Sequence, residues 1–471
     1  MKLPELRDPS VLILGLGREG QSTWRFLRAL FPEKILGAAD RVPMDDLPPE
    51  TAELLRCDTR VRPHLGPDYL NSLSQYDVIV KSPGIPVTLP EYVQAVEAGK
   101  RITSQTDLFF SNCSGQIVGV TGTKGKSTTA SLIHAILKQG KKKTHLVGNI
   151  GSPALDLLQP STPDSVFVYE LSSHQLEGLR QSPHIAVLLN VVPEHLDYYA
   201  SFEHYAAAKE NITRYQTPDD WLVYDADHPI PREAASRSRA RKLGCSLKEK
   251  MEKLSAPGCA AVGDWIICSL EPGREEKILA ARESPLPGRF NLLNVAAAAA
   301  VGRLLGVEAK EIAEAVRGFQ PLEHRLERVG TFGAVTFYND AIATVPEATM
   351  AALDTLGADV ETILLGGADR GVDFAGLAKR LLASSVRTVI LFPKTGQRIW
   401  EAIRAQEPAA DSRLAHCFVE SMEEAVAAAK EKTSQGKICL HSPASPSFGL
   451  FRDYRDRGEQ FKRLVREQEG S

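Results

Sequence analysis

The stretch GVTGTKGKSTT at residues 119–129 overlaps the end of an apolar run, QIVGV, and leads into ASLIHAILKQG, which has helical character. A strand, a glycine turn and a helix in that order make a βα unit, and βα units build parallel sheets. The same stretch has the parts of a phosphate cradle. Glycines let backbone amides close on an anion, a Lys reaches the terminal phosphates, and a Ser or Thr hydroxyl serves Mg²⁺. Gly122, Gly125, Lys126 and Ser127 supply them. The spacing departs from G-x-x-x-x-G-K-[ST], because only two residues separate Gly122 from Gly125.

Other strands follow the same pattern. VLILGLGREG is a buried-strand run entering G-x-G-x-x-G at Gly15, Gly17 and Gly20, and KILGAAD ends in Asp40, where a Rossmann unit places its ribose carboxylate. YDVIVKSPGIP runs into a Pro-Gly turn. Between about 245 and 288, short runs such as AAVGDWIICSL predict a small antiparallel excursion. From QPLEHRLERVG onward, TFYND, ETILLGG, TVILFP and KICLHSP each end an apolar run in Gly, Pro, Asn or Asp, and such strand ends are where open α/β sheets bind ligands.

At 471 residues the chain is long enough for about three domains at roughly 150 residues each. The reading is an α/β protein of three domains: a Rossmann-like domain at 1–112, a central P-loop ATPase-like parallel sheet with the antiparallel excursion at 113–319, and a second Rossmann-like domain at 320–471. A net charge of −3 and a charged fraction of 24% give no general basic bias toward nucleic acid. Seven Cys without a C-x-x-C pair speak against a zinc site and fit a reducing compartment. No run of about 18 apolar residues suggests a membrane span, and the expectation is a cytoplasmic protein.

Two further strand ends carry candidate chemistry. VFVYELSSHQLE sets Glu170 where an acid in a P-loop enzyme coordinates Mg²⁺, and VLLNVVPEHLDYY ends in Asn190, Glu194, His195 and Asp197. In the helix-like YAAAKENITRY, Lys209 has two readings. It either neutralises phosphate charge as an ammonium, or reacts as a neutral amine with CO₂ to give a carbamate, an anionic oxygen ligand for a second Mg²⁺.

GVTGTKGKSTT, GNIG, ELSSHQLE, NVVPEHLDYY, YAAAKENI, PGRFNLLN, LEHRLE, YNDAIAT, LLGGADRG and SPASPSFGLFRDYRDRG occur in the order found in the Mur ligases, and the chain resembles that family over essentially its full length. The resemblance implies an ATP-dependent amide ligase that adds glutamate to UDP-N-acetylmuramoyl-L-alanine through an acyl phosphate, acting as a monomer without nucleic acid or membrane partners. It implies Gly122, Thr123, Lys124, Gly125, Lys126, Ser127, Thr128, Asn291, Asn294, His324, Arg325 and Asp340 as ATP contacts. Lys126, Glu170, His195 and Lys209 are the implied catalytic residues. Ser127, Glu170, His195 and carbamylated Lys209 are implied to hold Mg²⁺ at two sites. Gly17, Arg18, Asp40, Arg41, Ser82, Pro83, Gly84, Ile85, Asn149, Ser172, Gln175 and His195 are implied for the UDP-sugar, and Thr344, Arg370, Ser447, Phe448 and Tyr454 for glutamate.

The amino-acid end departs from the family pattern. NDAIATV stands for the usual NDSKATN, Arg370 for a lysine, Gly449 for an acid and Tyr454 for a Phe, features that resemble variants adding L-glutamate, with D-glutamate the family default. Phe290 stands for the His of GQHN. A folylpolyglutamate-synthase-like ligase would lack the N-terminal βα segment, and an NAD-dependent oxidoreductase would leave Glu170, His195 and Lys209 without a shared purpose.

Overall fold

The computed structural model describes residues 1–159, 161–195, 198–248, 257–271, 273–410 and 413–467. The chain packs as two compact units, Met1–Ser284 with Leu292–Phe319, and Pro285–Asn291 with Gln320–Ser471. Among the described residues the strands form three sheets, of five, nine and six strands.

In the first unit, Val11–Leu14 (β1), Leu36–Asp40 (β2), Val61–Leu65 (β3), Val78–Lys81 (β4) and Arg101–Ser104 (β5) form a parallel sheet in the order β3-β2-β1-β4-β5. All four residues of β1 are buried, as a strand covered on both faces requires. The helix Arg18–Leu30 follows β1 closely: a Cβ on Gly20 would lie 1.9 Å from the Gly15 carbonyl oxygen, so only glycine permits that approach. The strand order reverses beside β1, and the crevice at a reversal opens at the carboxyl ends of β1 and β4.

The central sheet comprises Gln116–Thr121 (β6), Thr144–Gly148 (β7), Val166–Glu170 (β8), Ile185–Leu188 (β9), Trp221–Asp225 (β10), Arg241–Ser246 (β11), Gly258–Val262 (β12), Trp265–Ser269 (β13) and Glu275–Ala280 (β14). Its order is β14-β13-β12-β11-β10-β9-β6-β8-β7, parallel from β7 to β12, with β13 antiparallel to both β12 and β14, which is the expected excursion. The hairpin sets Cys259 opposite Cys268, Cα atoms 4.1 Å apart, and a disulfide joins them. The pairing runs against the expectation of a reducing compartment: cross-strand register, not C-x-x-C spacing, brings the two sulfurs together.

The first and central sheets share one apolar core. Phe109 from the helix Gln105–Asn112 packs edge-on against Phe167 at 5.1 Å and Tyr169 at 5.7 Å, both on β8. Burying one such ring contributes about 1.5–3 kcal/mol, and each aromatic pair about 0.5–1.5 more.

In the second unit, Glu327–Phe332 (β15), Val335–Asn339 (β16), Val360–Gly367 (β17), Thr388–Lys394 (β18), Ala415–Phe418 (β19) and Ile438–His441 (β20) are ordered β15-β16-β20-β17-β18-β19. All pairs are parallel except β15 with β16. Side chains alternate between two cores, as period two demands. Ile363, Leu365, Val389 and Leu391 meet Leu377, Ile399 and Trp400 on one face. Leu364, Ile390 and Phe392 meet Met422, Val426 and Phe461 on the other. No helix among the described residues is long and apolar enough to cross a membrane.

Candidate active site

The glycine loop after β6 enters the helix Lys126–Gln139 at Gly125, whose φ of 87° suits glycine. A Cβ there would lie 2.4 Å from Asn294 Oδ1, so the loop closes on the Asn294 side chain, which also accepts from Thr129 Oγ1 at 3.2 Å. Lys126 Nζ donates to the carbonyls of Gly122 and Thr123 at 2.9 and 2.8 Å. The loop tip is tied to the segment after β9: Thr123 N donates to the Asn190 carbonyl at 2.6 Å, and Lys124 N donates to Asn190 Oδ1 at 3.1 Å. Lys124 Nζ pairs with Glu194 Oε1 at 2.6 Å. Burial works to raise the Glu194 pKa, but Lys124, with Lys126 and His195, holds its carboxyl below the usual range. Ser127 is half-buried and Thr128 buried in the helix's first turn.

Glu170 ends β8 beside β6, in register with Val120, and is 3% exposed. Gly148 comes so close that a Cβ would meet the Glu170 carbonyl oxygen at 2.3 Å, and Asn149 N donates to that oxygen at 3.3 Å. His195 stands beyond β9 in a left-handed conformation, φ 57°, and its carbonyl accepts from Tyr198 and Tyr199, each at 3.0 Å. Asp197 lies outside the described residues. Lys209, on the buried side of the helix Phe202–Arg214, has its Nζ 4.8 Å from the Tyr205 ring centre. Burial, reinforced by the positive Lys126, pushes its pKa far below that of a free lysine against the pull of Glu194 and Glu170. Burial thus shifts this lysine toward its neutral amine form.

At the first sheet's crevice, Ser82 Oγ donates to the Gly15 carbonyl at 2.9 Å, tying the Ser82–Ile85 turn to the loop of Gly15 and Gly17. Asp40 accepts from Leu16 N at 2.7 Å and Val42 N at 3.0 Å, so both its oxygens brace backbone. Arg41, Gly17 and Arg18 are solvent-facing, and Arg18 also donates to the carbonyls of Asn149 and Gly151 in the central domain. Ser172 and Gln175 form a reciprocal cap on the short helix Ser173–Leu176. Gln175 Nε2 donates to Glu19 Oε1 at 2.5 Å, while the buried Glu19 Oε2 has no hydrogen-bond partner among the described residues. Burial lifts the Glu19 pKa from the ordinary 4.5 to about 6.

In the second unit, Asp340 follows β16, accepting from Ser442 Oγ at 2.8 Å and Leu326 N at 3.1 Å, and burial raises its pKa to about 6. His324 is held in a left-handed conformation, φ 63°, against Gly458 and Asn339, with burial lowering its pKa. Its ring meets Tyr454 edge-on at 6.0 Å. Glu323, His324 and Glu459 come within 4.8 Å of one another as a metal site would, but the Lys462 ammonium already sits 2.8 Å from Glu459 and 3.5 Å from Glu323. Asn291 Nδ2 donates to the Pro287 carbonyl at 2.6 Å, in the short segment that packs with this unit, whereas Asn294 packs with the first. Arg370 lies over the exposed Phe448 ring at 5.6 Å, Ser447 is 3% exposed, and Thr344 is half-buried. Arg325 Nε is buried without a hydrogen-bond partner among the described residues.

Three family models match in sequence along the chain: the MurD-like N-terminal domain of Mur ligases at 9–104, the Mur ligase middle domain at 120–302 and the Mur ligase glutamate ligase domain at 324–445. A UDP-N-acetylmuramoylalanine–D-glutamate ligase of Symbiobacterium thermophilum is 38% identical over 96% of this chain and 97% of its own. The chain belongs to the Mur ligase family. The enzyme of the same name from Acidobacterium capsulatum is 35% identical over 98% of this chain and 97% of its own. Among solved structures, a UDP-N-acetylmuramate–alanine ligase of Thermotoga maritima aligns with a TM-score of 0.57 at 18% identity, covering 96% of this chain and 98% of its own. A Mycobacterium tuberculosis folylpolyglutamate synthase aligns with a TM-score of 0.56 at 14% identity over 76% of this chain and 94% of its own, a likeness of fold.

Within this Mur ligase, the loop Gly122–Ser127, Glu170, Asn190 and Glu194 stand together at the carboxyl ends of β6, β8 and β9, with Lys209 electrostatically coupled to them. Tyr454 lies with His324, and Arg370 with Phe448. Sequence reasoning passed over Glu19, Lys394 and Arg457. Arg457 is fully buried and donates to the carbonyls of Ser445 at 3.1 Å and Ala341 at 2.8 Å, clamping the two loops that carry Ser447 and Thr344. Helical spacing from YRDRG sets it on the inward face with Phe461.

Proposed function

We propose that this chain joins glutamate, with D-glutamate as its natural substrate, to UDP-N-acetylmuramoyl-L-alanine in peptidoglycan precursor synthesis, with ATP converted to ADP and phosphate. The observation that carries this reading is 38% identity, across almost the whole of both chains, to a protein named for that ligation. In the reaction the alanine carboxylate attacks the γ-phosphorus to give an acyl phosphate. The glutamate amine then attacks the acyl carbon, loses a proton, and phosphate leaves. Two anions must be brought together, so charge neutralisation and alignment dominate.

Lys126 and the amides of Gly122, Thr123, Lys124 and Gly125 hold the phosphates, Lys126 exchanging its bonds to the Gly122 and Thr123 carbonyls for phosphate oxygens. Ser127 and Glu170 are the oxygen donors that Mg²⁺ prefers, and Glu170, His195 and a carbamylated Lys209 would hold a second ion. Mg²⁺ held by these residues would supply charge neutralisation for the two anions. The lowered pKa of Lys209 supports the carbamate, because only the neutral amine has a lone pair for CO₂. Gly17, Arg18, Asp40, Arg41, Ser82 to Ile85, Asn149, Ser172 and Gln175 receive the UDP-sugar. Asn291, Asn294, His324, Arg325 and Asp340 serve the nucleotide, and Thr344, Arg370, Ser447, Phe448 and Tyr454 serve glutamate. The domain bounds at 112 and 319, the monomeric state and a cytoplasmic location belong to the same reading.

Mass spectrometry of the product tests it. With ATP, Mg²⁺, UDP-N-acetylmuramoyl-L-alanine labelled with ¹⁸O in its carboxylate, and D-glutamate, the expected outcome is an amide product and one ¹⁸O transferred to phosphate. Product without transfer would remove the acyl phosphate, and no product would remove the ligase.

A further inference from the structure

Lys394 closes β18, in register with Gly367, which closes β17. Its φ of 67° and ψ of −88° are unusual for a residue with a side chain, and such a backbone persists only where its surroundings fix it. Thr395, completely buried, supplies the fixing: its hydroxyl lies 3.0 Å from the Gly367 carbonyl and 2.8 Å from Ser445 Oγ. Ala368 N donates to the Pro446 carbonyl at 2.8 Å. These bonds root the Lys394 backbone at the edge that bears Arg370 on one loop and Ser447 to Gly449 on the other.

The Lys394 side chain is exposed, and its Nζ lies 3.2 Å from where a Cβ on Gly449 would stand. Gly449 follows Phe448, the ring beneath Arg370. Lys394, Gly449, Phe448 and Arg370 are therefore contiguous. Neither cation has a carboxylate partner among the described residues. The acid beside them, Asp369, is taken by Arg398 at 2.5 Å and by Gly371 N at 2.8 Å. An acid at position 449 would have paired with Lys394. Glycine leaves the ammonium uncompensated.

Two uncompensated cations on one strand-end patch match a ligand with two carboxylates. We propose that Lys394 is a specificity-determining residue of the amino-acid site, taking the α-carboxylate of the incoming glutamate while Arg370 takes the γ-carboxylate. The amine and α-carboxylate share one carbon and must be placed together, which suits the cation rooted on the sheet edge. The longer reach of Arg370 from the loop suits the far carboxylate. This rests on the ligase reading above.

Steady-state kinetics on Lys394→Gly, Lys394→Met and Lys394→Arg provide the test. Glycine accepts the positive φ without strain, so Lys394→Gly removes the ammonium and not the fold. Losing one charge-assisted contact predicts a KM for glutamate raised roughly 10- to 150-fold in the Gly and Met variants, with KM for ATP and for the UDP-sugar within about twofold and Lys394→Arg largely restored. In the Gly variant, glutamine, which keeps the α-carboxylate, should lose further ground, and glutamate α-amide should not. An unchanged KM for glutamate, or an equal rise for all three substrates, in a variant of an otherwise active ligase overturns the proposal and leaves the ligase reading intact. Absence of ligation by the unsubstituted protein overturns that reading and the proposal with it.

Discussion

The carboxyl ends of the central sheet and those of the C-terminal sheet treat their charges in opposite ways. In the central domain they are buried or paired within the protein: Lys126 on loop carbonyls, Lys124 on Glu194, Glu170 at 3% exposure, Lys209 sunk beneath its helix. In the C-terminal domain, Arg370 and Lys394 stand exposed and without acids among the described residues, on loops around an exposed Phe448. A preorganised buried site suits a step common to all members of a family, because fixed charges need no reorganisation as the reaction proceeds. Exposed cations on strand-end loops can be exchanged at little cost to the fold.

The comparison breaks most easily at the buried end. Lys126→Ala should lower the ligation rate by about 10² or more, as for other deleted electrostatic stabilisers. Initial-rate measurements showing unchanged turnover would exclude the loop from phosphate binding. Lys209→Ala should be almost as damaging, and formate or acetate should partly restore it, since a free carboxylate imitates a carbamate. Full activity in the variant, or no uptake of labelled CO₂ by the unsubstituted protein, would return Lys209 to its reading as an ammonium. At the exposed end, Arg370→Ala should raise the KM for glutamate roughly 10- to 150-fold, the equivalent of about 1.5–3 kcal/mol, and leave that for ATP nearly unchanged. Equal effects on both would remove the division between the two ends.

The smallest effect is on stability. Folding lifts the Glu19 pKa from 4.5 to about 6, so the native state holds the proton more tightly than the unfolded chain. That contribution is complete below about pH 4.5 and is lost as pH rises through about 6. Glu19→Gln should flatten this fall and raise stability at pH 7–8 by at most about 2 kcal/mol, read from melting temperature against pH. Asp340, lifted to about 6 in the same direction, leaves a residual slope in the variant. A variant curve parallel to that of the unsubstituted protein would contradict the buried carboxyl.

The sheets and their ligand edges were legible because apolar runs ended in glycine, proline or acid: VLILGLG, QIVGVTG and ETILLGG became β1, β6 and β17 with their loops. What escaped depends on tertiary neighbours. Glu19, between a cation and a glycine at a helix start, reads as solvated, and its burial comes from the central domain's Tyr169 and Gln175. Asp40 also braces its own loop, its oxygens accepting from the Leu16 and Val42 amides, a use no spacing reveals. TVILFP reads as a run ending at its proline, yet the strand runs one residue further and delivers Lys394 to the edge. Cys259 and Cys268 needed the hairpin register to meet.

Phosphate release with UDP-N-acetylmuramoyl-L-alanine, ATP and Mg²⁺, with D-glutamate and L-glutamate supplied separately, tests the central claim. The account predicts release that depends on the amino acid and the UDP-sugar together, with D-glutamate the better substrate. A strong preference for L-glutamate would contradict the assignment of the hand, and no release with either would contradict the ligase itself.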